Sequence, residues 1–201
     1  SYAALEEGLL NRSLIVLIFG KRGSGKSALG FRLLENICAR RKRRGFVLGV
    51  EQRLLPKWIS SVESIGDVKE GSAILVDEGA VLFSSRESMR KANIELGKLL
   101  AVARHSDITA LLITQNTGMI DRNVLNLADV LLVKEGSLLQ SHMERAVVKQ
   151  LVSKADAAIK QQPPEARTQY VYVFSDDFEG LCKASLPSFW SQRLSKSHVV
   201  R

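Results

Sequence analysis

The chain has 201 residues, 45% of them hydrophobic and 25% charged, which suits one globular core and excludes a disordered or low-complexity chain. No apolar run approaches the ~20 residues of a membrane span, and two cysteines, Cys38 and Cys182, make neither a disulfide framework nor a metal pattern, which suits a reducing cytoplasm. The net charge of +8 favours a polyanionic partner. No signal-peptide pattern is present, and because the chain opens on Ser1 rather than methionine, an upstream segment is left open.

The first predicted element is the run SLIVLIFG at 13–20, apolar and β-branched throughout, as a buried parallel strand requires. It leads into GKRGSGKS at 20–27, which meets G-x-x-x-x-G-K-[ST] at every defined position: Gly20, Gly25, Lys26 and Ser27. Glycines let successive backbone N–H groups turn inward toward an anion. The residues from Gly20 through Lys21, Arg22, Gly23, Ser24 and Gly25, with Lys26, Ser27 and Ala28, are therefore the candidate nucleotide cradle. Lys26 is expected to reach the β- and γ-phosphates, and Ser27 to hold Mg²⁺. Ala28, Leu29, Phe31, Leu33, Leu34 and Ile37 recur at helical spacing, so a helix follows the loop and adds its dipole to the anion site.

Next comes RRKRRG at 40–45. Its cations either cap the end of that helix before Gly45 stops it, or form a contact for nucleic acid or an acidic partner. FVLGVE reads as a short strand, and residues 54–70 are mixed, with Trp58 and Ile59 expected inside. GSAILVDEG is a buried strand that ends in Asp77 and Glu78. Asp77 at the strand tip is placed to hold the Mg²⁺ hydration shell opposite Ser27, and Glu78 to polarise an attacking water as general base. A small-molecule kinase needs no water-activating carboxylate there, so the pair argues for hydrolysis of ATP.

Residues 85–105 read as a helix that Ser85 and Ser88 could cap. It ends near Arg104, which is either a helix-end or ion-pair residue or an arginine finger reaching the nucleotide of an adjacent subunit. The buried strand ITALLITQN closes on Gln115, which either hydrogen-bonds the attacking water or γ-phosphate or is satisfied by its own loop. A short helix at 120–128, a strand DVLLVKEG, an amphipathic helix over 140–161 broken by Pro163 and Pro164, and a strand QYVYVFSDD follow. From Phe178 the tail reads as irregular. Strands that alternate with helices imply an α/β fold around a mostly parallel sheet, with ligands bound beyond the C-terminal strand ends.

Three stretches, GKRGSGKS, AILVDEG and ARHSDITALLITQNTGMID, together resemble the FtsK/HerA superfamily of P-loop motor ATPases. They are most similar to its Zot-like members and to genome-packaging ATPases of archaeal viruses. The resemblance spans residues 13–135. It implies a RecA-like P-loop core, its sheet flanked by helices, that hydrolyses ATP with Mg²⁺. It also implies a homo-oligomeric ring, most often a hexamer, that moves double-stranded DNA, with a capsid or membrane protein as a possible further partner. By position, Lys26 and Ser27 match the Walker A residues, Asp77 and Glu78 the Walker B pair, Gln115 the sensor, and Arg104 an arginine common in the superfamily. The chain shows no barrel domain before the P-loop, no membrane helix and no DNA-reading domain. Two other functions stay open: a Zot-like assembly or export ATPase at a membrane, and an ATP-dependent switch that moves nothing. The expected organisation is an ATPase domain at 1–177 with a tail, 178–201, packed on it or extending from it. The expected location is the cytoplasm, or the host's for a viral protein.

Overall fold

A computed structural model describes residues 2–77, 79, 89–115, 122–136 and 146–197. Helix α1 (Tyr2–Asn11) precedes strand β1 (Ile15–Phe19), and α2 (Lys26–Arg41) starts directly after the glycine loop. Strands β2 (Gly45–Leu48), β3 (Ile59–Val62) and β4 (Ala73–Asp77) follow, with short 3₁₀ turns at Gln52–Leu54 and Ile65–Asp67. The remaining elements are α3 (Met89–His105), β5 (Thr109–Thr114), α4 (Arg122–Leu127), β6 (Val130–Val133), α5 (Ala146–Lys160), β7 (Tyr170–Ser175), β8 (Glu179–Lys183) and α6 (Gln192–Ser197). No described helix is long and apolar enough to cross a membrane.

The strands form one sheet in the order β3-β2-β4-β5-β1-β6-β7-β8. The pairings from β3 through β6 are parallel, and the last two are antiparallel. The α/β expectation of a mostly parallel sheet between helices is met. In β1 alternate residues serve opposite faces: Val16 and Ile18 pack with Leu29, Leu33 and Ile37 of α2, while Ile15, Leu17 and Phe19 pack with Leu96 and Leu100 of α3 and Val148 and Val152 of α5. Burial on both faces is why this strand is continuously apolar.

Several expectations need correction. Trp58 is 43% exposed. It precedes β3, an edge strand, so no further strand covers it, and its indole lies edge-on to Phe189 with centroids 5.5 Å apart. Ile59 is buried, as expected. Gly45 does not stop α2: Lys42 does, in the left-handed conformation with φ 52°. Gly45 instead opens β2, where a Cβ would sit 2.8 Å from Cys38 Sγ. The tail is not irregular from Phe178 on: Glu179–Lys183 is a sheet strand, and Leu194 of α6 is fully buried. Ser85, Ser88 and Glu78 lie outside the described residues.

Candidate nucleotide site

β1 delivers Gly20 to the C-terminal edge of the sheet, and the register brings three more strand ends to the same edge. Phe19 is level with Thr114 of β5 and with Val133 of β6, and Asp77 of β4 is level with Ile113. β5 therefore stands between the P-loop strand and the strand that carries Asp77. Gln115, one residue past β5, lies between the glycine loop and the carboxylate because of that strand order. Nothing in the local sequence of either motif specifies it.

The loop itself is tied down from below. Lys21 N donates to the Glu135 carbonyl at 2.8 Å, and Lys21 Nζ pairs with the Glu135 carboxylate at 2.8 Å. Lys26 is buried, and its Nζ donates to the Lys21 carbonyl at 2.7 Å, so the loop wraps its own lysine. Gly23 and Gly25 have φ of 76° and 90°, a region that disfavours any side chain. At Gly23 an added Cβ would meet nothing within 4 Å, so the cradle is open on that side. Ser24 is buried, and its hydroxyl has no hydrogen-bond partner among the described residues.

One cleft of about 1010 Å³ collects these parts. Arg22, Gly23, Gly25, Lys26, Ser27 and Ala28 line it from the loop and helix, and Asp77 and Gln115 line it from the strand tips. Gly20, Lys21 and Ser24, also expected in the cradle, are not among its lining residues. Asp77 Oδ1 accepts from Gly79 N at 2.9 Å, which orients the carboxylate. An open cradle of loop amides, a hydroxyl and a carboxylate on one wall, and a buried lysine fit a nucleotide phosphate with a hard divalent cation. Ser27 and Asp77 are the residues that would hold Mg²⁺.

Arg104 is not in this cleft. Its guanidinium donates to the Leu127 carbonyl at 2.8 Å and pairs with both oxygens of Asp129, at 3.1 and 3.2 Å. Asp129 also accepts from Ile15 N at 2.8 Å, so this network sits at the start of β1, the opposite edge of the sheet.

Sequence reasoning missed one wall of the cleft. Lys134, directly after β6, lines it, as do Thr168, Gln169 and the tail residues Ala184–Leu186 and Trp190. Burial, and then the charge of Lys26, push the Lys134 ammonium down to about 7. The signal was present: VLLVK ends a short apolar strand on a charge, as AILVD does.

The DNA-packaging ATPase B204 of Sulfolobus Turreted Icosahedral Virus matches with TM-score 0.61 at 15% identity, over 88% of this chain and 100% of that one. The genome packaging NTPase B204 of Sulfolobus turreted icosahedral virus 2, in complex with ATP-gammaS, matches with TM-score 0.58 at 14% identity, over 87% and 98%. The pCW3 conjugation coupling protein TcpA, with ATPgS, matches with TM-score 0.58 at 13% identity, over 87% of this chain and 61% of that one. At such identities the likeness is one of fold, and the fold is that of a RecA-like P-loop ATPase. No protein-family model matches the chain, and no curated protein does.

Proposed function

We propose that this chain is an ATP-hydrolysing motor of the FtsK/HerA type that translocates or packages double-stranded DNA as a homo-oligomeric ring in the cytoplasm of a cell or, for a viral protein, of its host. The carrying observation is the strand order that gathers Lys26, Ser27, Asp77 and Gln115 around one cleft. The tail, over its described residues 178–197, acts as one unit with the residues before it, since β8 extends the sheet and Leu194 is buried in the core.

Loop amides from Gly20 to Ser27 hold the phosphates, and Lys26 stabilises the charge that develops on the β–γ bridge oxygen. Ser27 and Asp77 would hold Mg²⁺, which would supply charge neutralisation for the phosphate oxygens. Glu78 takes a proton from the attacking water, and Gln115 orients that water toward the γ-phosphorus. The net charge of +8 supports duplex DNA as the cargo, because phosphate contacts carry affinity without reading sequence.

The test is hydrolysis of Mg-ATP with and without duplex DNA of unrelated sequences. The expected result is turnover that any duplex stimulates, abolished in Glu78→Gln, which still binds ATP. Turnover indifferent to DNA would sink the motor reading and leave a switch. Wild-type turnover in Glu78→Gln would sink the assignment of the base.

A further inference from the structure

The cleft holds a second buried lysine. Lys134 is 1% exposed. It follows β6, which pairs with β1 on the flank opposite to β5. Lys134 N donates to the Phe19 carbonyl at 2.8 Å, and its Cβ lies 2.7 Å from where a Gly20 Cβ would be. From there the side chain runs along the loop toward Gly25, where a Cβ would lie 3.5 Å from both Lys134 Cε and Nζ. The ammonium donates to the Thr168 carbonyl at 2.6 Å. No carboxylate among the described residues pairs with it, and the neighbouring Glu135 is held by Lys21.

A buried ammonium is costly unless opposite charge offsets it. One neutral carbonyl is a weak offset, and the like charge of Lys26 adds to the cost. A polyanion in the cleft would supply the missing charge. Its orientation follows from the strand order: Asp77 and Gln115 mark the γ-phosphate side beyond β4 and β5. A nucleotide that crosses the loop from that side carries its α-phosphate and base toward β6, Thr168 and Trp190.

We propose that Lys134 is a second phosphate-binding lysine, which contacts the α- and β-phosphates from the flank of the P-loop opposite to Asp77 and Gln115. The inference rests on the nucleotide-hydrolase reading and adds to it a charge that the Walker motifs do not contain. It makes Lys134 a binding residue for diphosphates and triphosphates alike, whereas Lys26 serves the β–γ end. The contact also links the phosphates to the strap Pro164–Gln169 through Thr168.

The experiment compares equilibrium binding of ADP and ATPγS to the full chain and to Lys134→Met, which keeps length and apolar packing but loses the charge. The expected loss is about tenfold or more, by the same factor for both nucleotides, with the unliganded chain at least as stable as wild type. Undiminished ADP binding, or a loss confined to ATPγS, would overturn the proposal. A second measurement uses the wild-type chain alone, so it does not depend on the variant folding. An acyl-phosphate derivative of ADP transfers its acyl group to an amine that touches the phosphates. Acylation mapped to Lys134 and suppressed by excess ADP is the expected result, and acylation of Lys26 with none at Lys134 overturns it. If the wild-type chain binds neither nucleotide, the hydrolase reading fails first and takes the inference with it.

Discussion

Gly25 meets two demands at once. Its φ of 90° turns the loop into α2, and the Thr168 carbonyl, 2.8 Å from where a Cβ would lie, leaves no room for a side chain. Lys134 beside it makes stability depend on pH. Its ordinary value of 10.5 applies when the chain is unfolded, and burial lowers it to about 7 in the folded chain. Below pH 7 it is charged in both states, and the folded state bears the full burial penalty. Between the two values the unfolded chain binds more protons, so stability rises with pH, and above both the penalty is gone. Relative to wild type, Lys134→Met is therefore expected to be stabilised by up to a few kcal/mol at about pH 6.5 and by much less at about pH 10. Urea midpoints at both pH values check this; a gap that does not change with pH shows that Lys134 is not desolvated. The loop was legible in the sequence because its chemistry is consecutive: glycines, a lysine and a serine in one octet. Lys134 was not, because a lysine after a short strand reads as solvent-facing until β6 is known to border β1.

At the scale of elements, the site depends on how closely α2 lies on the sheet. Gly30 makes that approach possible: a Cβ there would stand 2.7 Å from Leu75 Cδ1 and 3.0 Å from Ile113 Cδ1, both in the core. Gly30→Val puts a β-branched side chain into that gap, and the expected loss is about 1–3 kcal/mol of stability with weaker nucleotide binding, since Lys26 rides on the same helix. Chemical denaturation checks the first part and ADP titration the second; an unchanged midpoint would mean that the helix does not rest on β4 and β5 there. The strands that were plain in the sequence, β1, β4 and β5, are buried on both faces and read as unbroken apolar runs. β3 and β8 were hidden because Ser60 and Ser61 interrupt one, and Glu179, Gly180 and Lys183 interrupt the other, as the two edges of the sheet permit. The basic run divides in the same way. Arg40 pairs with Glu6 of α1, and Arg43 donates to Ser13 Oγ at 2.9 Å, so these two hold α1 and β1 in place. The contact reading falls to Arg41, Lys42 and Arg44, all exposed.

For the whole molecule, the two edges of the sheet carry different charges with different tasks. The C-terminal edge holds the nucleotide cleft, and the N-terminal edge holds Arg104 with Asp129. β5 separates them by six residues, on the order of 20 Å, so Arg104 cannot reach the candidate cleft of its own chain. It is 47% exposed in its pair with Asp129, which leaves one side of the guanidinium open to a neighbouring chain. If it serves as a finger, hydrolysis requires assembly, and the finger is worth about a thousandfold in rate. Lys26→Ala and Arg104→Ala should each be inactive alone, and a mixture of the two should recover activity at concentrations where the chains assemble. In a mixed ring an intact loop then meets an intact arginine from the adjacent subunit. The pair with Asp129 supplies the competing account, since Asp129 also accepts from Ile15 N and anchors the start of β1. On that account Arg104→Ala lowers the melting temperature, and the residual folded protein hydrolyses ATP at the wild-type rate. A folded, assembled and inactive Arg104→Ala that mixing does not rescue would refute the finger without reinstating the anchor. The rescue assay and the melting curve together therefore separate an arginine that acts between subunits from one that only holds its own sheet edge.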